Sequence, residues 1–409
     1  MIDDMEEAKS VRPTMPVMAY LNSGINFPQF HRLFCSLQKA AKELGHDIDH
    51  PNLHNSYHTV KKNGRTFYDC NNLEGEPLYK DRKNIDLFDF RKEYVRDKFL
   101  EYVQLIKDSG FEGLFLDRGD MNCIKGRGCK KDFVAEDKAF PNRSEAMKWD
   151  RYHVQVLRDS QAIFGDEYPV IANNIILNGV GGRQHERFLM GEWHMDIPRT
   201  INELLNAGKK GLVVQAFANP CSHDDVKITL PSGETRPQYT GRFMRINTLA
   251  AFFIGQCKHA YYSCSLGFIP DNAWHQKQPG NSQYELDDLW AGNTFFSEYS
   301  RRIGAPTGLP LHWTKYQNGA INHFYYREFV SGVTGNKTKV WFHVKKMKRK
   351  WFRKNQEFDL QSVILWGDGG PPSTSDERIT PEEMHKRFKV NIGQSYMTPV
   401  FKKHANCNA

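Results

Sequence analysis

The feature that most constrains the fold of this chain is a repeated alternation between short strand-like runs and longer segments of helical period. Each β-branched or aromatic run is followed by a segment whose apolar residues recur every three to four positions. The alternation occurs about eight times, which is typical of βα units that build a parallel sheet. We therefore predict an α/β fold, with a (β/α)8 TIM barrel over residues 1–304.

The predicted barrel strands share an apolar body that ends in polar residues. Two of the predicted helices have recognisable ends, since Gly110 follows RKEYVRDKFLEYVQLIKDS and Ser144 is a predicted N-cap of the segment that leads to residue 165. The predicted strands are PVMAYLNSG (16–24), TFYDCNN (66–72), NIDLFDF (84–90), FEGLFLDRGD (111–120), PVIANN (169–174), RFLMGEWH (187–194), LVVQAFANP (212–220) and HAYYSCSLG (259–267).

The pattern changes after about residue 305, where the alternation of βα units gives way to aromatic, turn-rich sequence. The segment INHFYYREFVSGVTGNKTKVWFHV (321–344) has the two-residue period of half-buried strands joined by a turn. We predict a small C-terminal antiparallel β domain over residues 305–409, in which the Gly- and Pro-rich segment 367–383 is a loop.

Composition narrows the class of partner. The 56 basic residues are interspersed with 48 acidic ones, and no nucleic-acid recognition motif accompanies the net charge of +8, so we predict no nucleic-acid partner. The exception is VKKMKRKWFRK (344–354), where seven of eleven residues are Lys or Arg. It is either a solvated strand edge, which lysines protect from aggregation, or a contact for an anionic polymer.

Membrane, metal and redox signals are weak. No apolar run reaches the roughly 20 residues of a membrane span, and MIDDMEEAKS lacks the features of a signal peptide, so we expect a soluble protein. Its location stays open, with an extracellular or virion-associated protein among the alternatives. Cys123 and Cys129 share one loop and would pair only in an oxidising compartment. No HxH or HExxH spacing occurs, so we predict neither a metal site nor a cofactor.

Polar side chains at the ends of the predicted strands are the candidate site residues. In such barrels the reacting groups project from the C-terminal ends of the strands. A ring of carboxylates, amides and aromatic rings is typical of a sugar site, so we predict a carbohydrate substrate. In chain order the candidates are Tyr20, Asn22, Asp69, Asp89, Asp117, Asp120, Asn173, Asn174, Glu192, His194, Gln215 and Tyr262.

Asp117 and Glu192 form the predicted catalytic pair. Each follows an apolar strand directly, in GLFLD and FLMGE, so a rigid element would hold each at the mouth of the barrel. Glycoside hydrolysis needs two such carboxyl groups, one as an acid and the other as a nucleophile or base. For Asp89, which precedes the helix RKEYV, an N-cap is the alternative to substrate binding, and a loop cap is the alternative for Asp120.

With GFEGLFLD, PVIANN and MGEWH in that order, the chain resembles the glycoside hydrolase barrels grouped with the hypothetical glycosyl hydrolase family fifteen. More distantly it resembles the endo-α-1,4-polygalactosaminidases. The likeness extends from AYLNSG to SEYSRRIGAPTG (297–308) and YYREFVSG (325–332). It implies a (β/α)8 fold with an accessory β domain, and catalytic roles for Asp117 as nucleophile or base and Glu192 as general acid/base.

Two functions are compatible with these residues. The first is a glycoside hydrolase that cleaves a polysaccharide or glycoconjugate. The second is a barrel that binds a glycan without cleaving it, as a surface or virion adhesin would. A glutamate at position 192 favours the first, because binding alone does not need a carboxylate there.

Overall fold

The chain forms two compact units, Met1–Gln184 and His185–Ala409. The computed structural model describes residues 2–11, 13–14, 16–24, 30–46, 50–54, 86–119, 140, 142–185, 197–218, 241–257, 259–264, 298, 301, 303–317, 320–332, 334–346, 358–375 and 379–392.

The first unit alternates strands with helices. Its elements are α1 (Ile2–Val11), β1 (Ala19–Asn22), α2 (His31–Glu43), β2 (Asn52–His54), β3 (Asp86–Phe88), α3 (Glu93–Asp108), β4 (Leu114–Asp117), α4 (Arg143–Phe164), β5 (Val170–Asn173) and, at the boundary, β6 (Gly182–His185).

Parallel pairing joins four of these strands. β1 lies beside β4, with Asn22 opposite Asp117, and β4 lies beside β5. β5 in turn pairs with β6, where Asn173 is opposite Gln184. These four strands thus form a parallel sheet, as the alternating sequence predicts.

The helices bury their apolar stripes and end at glycines. In α3 the residues Val95, Phe99, Val103 and Ile106 are buried, which is the three-to-four spacing of one helix face. Gly110 follows that helix at φ 92°, a conformation that favours glycine. The cap of α4 differs from the prediction, since the side chain of Asn142 rather than Ser144 accepts a hydrogen bond, from the backbone N–H of Glu145.

The strand predicted at 84–90 does not join the parallel strands. It forms over Asp86–Phe88 and pairs antiparallel with β2 (Asn52–His54). Its apolar residues Leu87 and Phe88 are buried in the core of the first unit. The sequence pattern therefore predicts correctly that this segment is buried, but it does not predict the strand with which the segment pairs.

The second unit combines βα segments with a larger antiparallel sheet. Its elements are α5 (Ile197–Lys209), β7 (Val213–Ala218), α6 (Gly241–Gly255), β8 (Ala260–Cys264), β9 (Ala305–Pro306), β10 (Leu311–Gln317), β11 (Ala320–Val330), β12 (Lys337–Lys346), β13 (Phe358–Leu365), β14 (Ser373–Thr374) and α7 (Pro381–Ile392).

The antiparallel C-terminal sheet is confirmed. Strands β10 to β14 follow one another in order, and β9 pairs with β11. The helix α6 packs on this sheet, where the ring of Phe253 lies 5.9 Å from that of Phe329. The buried guanidinium of Arg327 donates hydrogen bonds to the carbonyls of Phe253 and Ile254 at the end of α6. The predicted loop at 367–383 contains β14 and the start of α7.

The protein is thus a mixed α/β protein, in which the first unit has parallel strands in the order β1-β4-β5-β6 and the second unit has the parallel pair β7-β8 and a separate antiparallel sheet. The strands predicted at 66–72 and 187–194 lie outside the described residues, so closure into an eight-stranded barrel stays a prediction. The predicted domain boundary at 304/305 also stays a prediction, because the two compact units meet at 184/185.

Two further findings concern the environment of the chain. Among the described helices, none combines the length and the apolar character needed to cross a bilayer. Cys35 and Cys257 are both disulfide-bonded, whereas Cys123 and Cys129 lie outside the described residues.

Candidate active site

A row of polar side chains crosses the C-terminal ends of four parallel strands in the first unit. The pairing registers place Asn22, Asp117, Asn173 and Gln184 opposite one another on adjacent strands. Because side chains alternate between the two faces of a strand, all four lie on one face. We call these four residues the polar row. Gln184 is a member that the sequence analysis missed, because no strand was predicted at 182–185.

Asp117 is the centre of the polar row. Its Oδ1 accepts hydrogen bonds from Asn173 Nδ2 at 2.8 Å and from the backbone N–H of Arg118 at 2.7 Å. Its Oδ2 accepts from the hydroxyl of Tyr20 at 2.8 Å and from Asn22 Nδ2 at 3.3 Å. An ionised carboxylate only accepts hydrogen bonds, so four converging donors match that form and orient it.

Tyr20 lies on β1 two residues before Asn22, and its side chain is therefore on the same face of the strand as the polar row. It lies opposite Phe115 on β4, and the two ring centroids are 5.7 Å apart. Its ring is 40% exposed although Asn22, two residues later, is fully buried. Burial of the hydroxyl and the negative charge of Asp117 raise the pKa of Tyr20, which keeps it protonated as a donor to the carboxylate.

The backbone after two of these strands adopts the left-handed conformation. Arg118, directly after Asp117, has φ 61°, and Asn174, directly after Asn173, has φ 55°. Non-glycine residues rarely adopt this region, and such conformations concentrate at functional sites. Gly119 permits a close approach of the turn to β5, because a Cβ there would lie 3.0 Å from the Cβ of Ala172.

A buried serine–histidine pair supports the turn behind Asp117. The hydroxyl of Ser23 donates to the carbonyl of Asp117 at 2.7 Å and lies 3.0 Å from Nε2 of His153. His153 is fully buried, with its ring stacked 5.7 Å from Phe90, and burial lowers its pKa to about 3. The sequence analysis missed both residues, although Ser23 follows Asn22 directly.

Asp89 lies in the first unit, directly after β3. Its carboxylate is buried and binds Arg91 through Nε at 2.7 Å and Nη2 at 3.0 Å, with Lys92 Nζ at 3.2 Å. Burial raises its pKa, but the hydrogen bonds and charges of Arg91 and Lys92 outweigh burial and lower it. Asp89 is not the side-chain cap of α3, whose N-cap is Lys92. It forms an ion pair with Arg91 and Lys92, and its predicted contact with substrate stays a prediction.

Two predicted site residues lie in the second unit, on opposite faces of their strands. Gln215 on β7 is half-buried and lies opposite Tyr261 of β8, whose ring is 58% exposed. Tyr262 faces α6 instead, where its hydroxyl lies 2.5 Å from Oγ1 of Thr248. Within this unit, Tyr261 rather than Tyr262 shares the face of Gln215.

The other predicted site residues lie outside the described part of the chain. These are Asp69, Asp120, Glu192 and His194, so the separation of Asp117 and Glu192 stays open. Of the basic segment 344–354, only 344–346 is described, within β12. Among the described residues, no group of three or more His, Cys, Asp or Glu side chains has the arrangement of a metal site.

No protein-family model and no curated protein matches the chain. Solved structures that resemble it include the glycoside hydrolase domain of PelA from Pseudomonas aeruginosa, with 13% identity and a TM-score of 0.33 over 65% of this chain and 81% of that one. A maltogenic amylase from S. marinus has 10% identity and a TM-score of 0.40 over 92% of this chain and 54% of that one. The cyclic α-maltosyl-(1→6)-maltose hydrolase of Arthrobacter globiformis has 11% identity and a TM-score of 0.39 over 85% and 71%, respectively. All three TM-scores are below 0.5, so these likenesses are weak.

Proposed function

We propose that this protein is a glycoside hydrolase in which Asp117 is the nucleophile or the base. The observation that carries the proposal is the Asp117 carboxylate itself, half-buried at the end of a buried parallel strand. Side chains from both neighbouring strands, Tyr20 and Asn173 among them, donate hydrogen bonds to it. A carboxylate that needs only structural support at a strand end does not need side-chain donors from both neighbouring strands.

The surroundings of Asp117 suit a sugar ring. The 40% exposed Tyr20 can pack against the apolar face of a pyranose, while the buried amides of Asn22 and Asn173 orient the Asp117 carboxylate beside it. Glycoside hydrolysis by two carboxyl groups then requires a second acid facing the same cavity. We assign that role to Glu192, on its position after the apolar run FLMG.

The test is turnover of a glycan panel by the purified chain and by Asp117→Asn and Glu192→Gln. We expect each substitution to lower kcat at least about a thousandfold, because each removes a group required in the transition state. Asp166→Asn is the matched control, since Asp166 is an exposed carboxylate in the turn before β5, at the opposite end of that strand. An Asp117→Asn variant as active as Asp166→Asn would exclude Asp117 from the mechanism.

The configuration at the anomeric carbon of the first sugar product distinguishes Asp117 as a nucleophile from Asp117 as a base. A retained configuration, followed by proton NMR during early turnover, requires a covalent intermediate and makes Asp117 the nucleophile. An inverted configuration makes it the base that activates water. If the wild-type chain binds glycans but hydrolyses none of them, the protein is the non-catalytic glycan-binding alternative.

A further inference from the structure

The peptide group between Asp117 and Arg118 is held at both of its ends. Its carbonyl oxygen accepts hydrogen bonds from the backbone N–H of Ser23 at 2.9 Å and from the Ser23 hydroxyl at 2.7 Å. Its N–H donates to Oδ1 of the Asp117 carboxylate at 2.7 Å. Since a peptide group is planar, any rotation that releases the carbonyl also moves the N–H away from the carboxylate.

The direction of the hydrogen bonds at Ser23 follows from the number of available protons. A serine hydroxyl has one hydrogen, and the carbonyl of Asp117 can only accept, so that hydrogen points to Asp117. The contact of 3.0 Å between Ser23 Oγ and His153 Nε2 therefore requires a proton on Nε2. His153 donates to Ser23, and Ser23 donates to Asp117.

The other ring nitrogen confirms that His153 is neutral in this arrangement. Nδ1 of His153 is buried and has no hydrogen-bond partner among the residues that the structure describes. A proton on Nδ1 would be a buried donor without an acceptor, in a pocket formed by the rings of Phe90 and Trp149. The ring therefore has a single tautomer, with Nε2 protonated.

We propose that His153 is a positioning residue for Asp117, acting through the Ser23 hydroxyl on the peptide group that joins Asp117 to Arg118. The hydrogen bonds from His153 to Ser23 and from Ser23 to Asp117 fix the plane of that peptide. The peptide N–H in turn fixes one oxygen of the Asp117 carboxylate. Arg118 adopts φ 61°, so the peptide needs such a hold to keep its orientation. The predicted effect on turnover rests on the glycosidase function proposed above, whereas the hydrogen-bond chain itself does not.

Three variants test the positioning role. His153→Phe keeps a ring between Phe90 and Trp149 but removes the donor, whereas His153→Gln retains an amide donor at the distance of Nε2. Ser160→Ala is the matched control, because Ser160 is a buried serine of the same helix whose hydroxyl, within the described part of the chain, bonds only to the carbonyl of Val156. We expect His153→Phe to lower kcat roughly 10- to 100-fold with KM unchanged, and His153→Gln and Ser160→Ala to stay near wild type.

Two measurements do not depend on turnover. Nitrogen NMR of the His153 ring should show a protonated Nε2 and an unprotonated Nδ1 at pH 7. Hydrogen exchange of the Arg118 amide should be at least about tenfold faster in His153→Phe than in wild type, and unchanged in Ser160→Ala. A proton on Nδ1, or an Arg118 amide that exchanges at the wild-type rate in His153→Phe, would overturn the proposal.

The two proposals fail in different ways. If no glycan is hydrolysed by the wild-type chain, the proposed function fails, while the tautomer and the amide exchange still decide whether His153 holds the peptide. If turnover is found but His153→Phe turns over as fast as His153→Gln, the positioning role fails and the glycosidase function stands.

Discussion

At the scale of single residues, Asp117 shows how a strand-end carboxylate becomes a candidate catalytic group. Its two oxygens accept four hydrogen bonds from four different residues. Only the one from Arg118 is local in sequence, and the remaining donors come from β1 and β5. The orientation of the carboxylate is therefore a product of strand pairing.

Tyr20→Phe isolates one of these donors. A hydrogen bond to a charged group contributes about 1.5–3 kcal/mol, so we expect kcat to fall roughly tenfold or more through a less well oriented Asp117. Folding stability should fall by no more than the contribution of that hydrogen bond, because the Tyr20 ring is 40% exposed and phenylalanine keeps its contact with Phe115.

The titration of Tyr20 gives an independent check of the same contact. Its pKa is raised above the ordinary value of 10.0, so its hydroxyl stays protonated while ordinary tyrosines ionise. The phenolate absorbance of wild type and Tyr20→Phe should therefore coincide up to about pH 10. A phenolate signal present in wild type and lost in the variant below that pH would contradict the contact with Asp117.

At the scale of elements, Gln161 at the end of α4 joins that helix to the starts of two strands. Its Oε1 accepts from the backbone N–H of Val170 at 2.7 Å and from that of Gly181 at 2.8 Å. Its Nε2 donates to the carbonyls of Gly165 and Tyr168. One side chain thus sets the entry of β5 and β6, whose far ends carry Asn173 and Gln184 of the polar row.

We expect Gln161→Ala to lower the free energy of unfolding by about 2–4 kcal/mol, because four backbone groups lose their partner. Gln155→Ala on the same helix is the matched control, since Gln155 is exposed and, among the described residues, its side chain bonds only to the half-buried Asp159. Urea unfolding measures both variants. Equal midpoints for the two variants would show that the Gln161 contacts add nothing to stability.

At the scale of the whole molecule, the antiparallel sheet packs against the helix α6 that precedes it in the second unit. Within the second unit, α6 is covered by β11 to β13, through the Phe253 and Phe329 rings and a hydrogen bond from Ser362 to Asn247. Arg327 of β11 donates to the last carbonyls of α6, where the helix dipole favours a cation. The sequence change near residue 305 marks a change of architecture inside a compact unit.

A fragment ending at residue 304 tests this organisation. It would leave the sheet-facing side of α6 uncovered, including Phe253, which is buried against Phe329 and Trp366 in the full chain. We expect the fragment to bind a hydrophobic dye and to aggregate, because contiguous apolar surface of that kind drives association. A soluble, dye-free fragment with the helix content of the full chain would support the predicted boundary at 304/305 instead.

The sequence by itself determined the features that depend on neighbouring residues. Two-residue and three-to-four-residue periods predict strands and helices, so β4, β5, α3 and α4 form where the pattern places them. The position of Asp117 and Asn173 at strand ends is also local information, because each follows directly on an apolar run. The antiparallel character of the C-terminal sheet follows from its alternating pattern in the same way.

The tertiary structure alone decided which strands are neighbours, and therefore which side chains meet. Tyr20 and Asp117 are 97 positions apart, and Ser23 and His153 are 130 apart. Nothing in a local period distinguishes β1 beside β4 from β1 beside β2, and the strand predicted at 84–90 indeed pairs elsewhere. Strand order and register depend on the packing of the entire core, so the support behind Asp117 could not be read from the sequence.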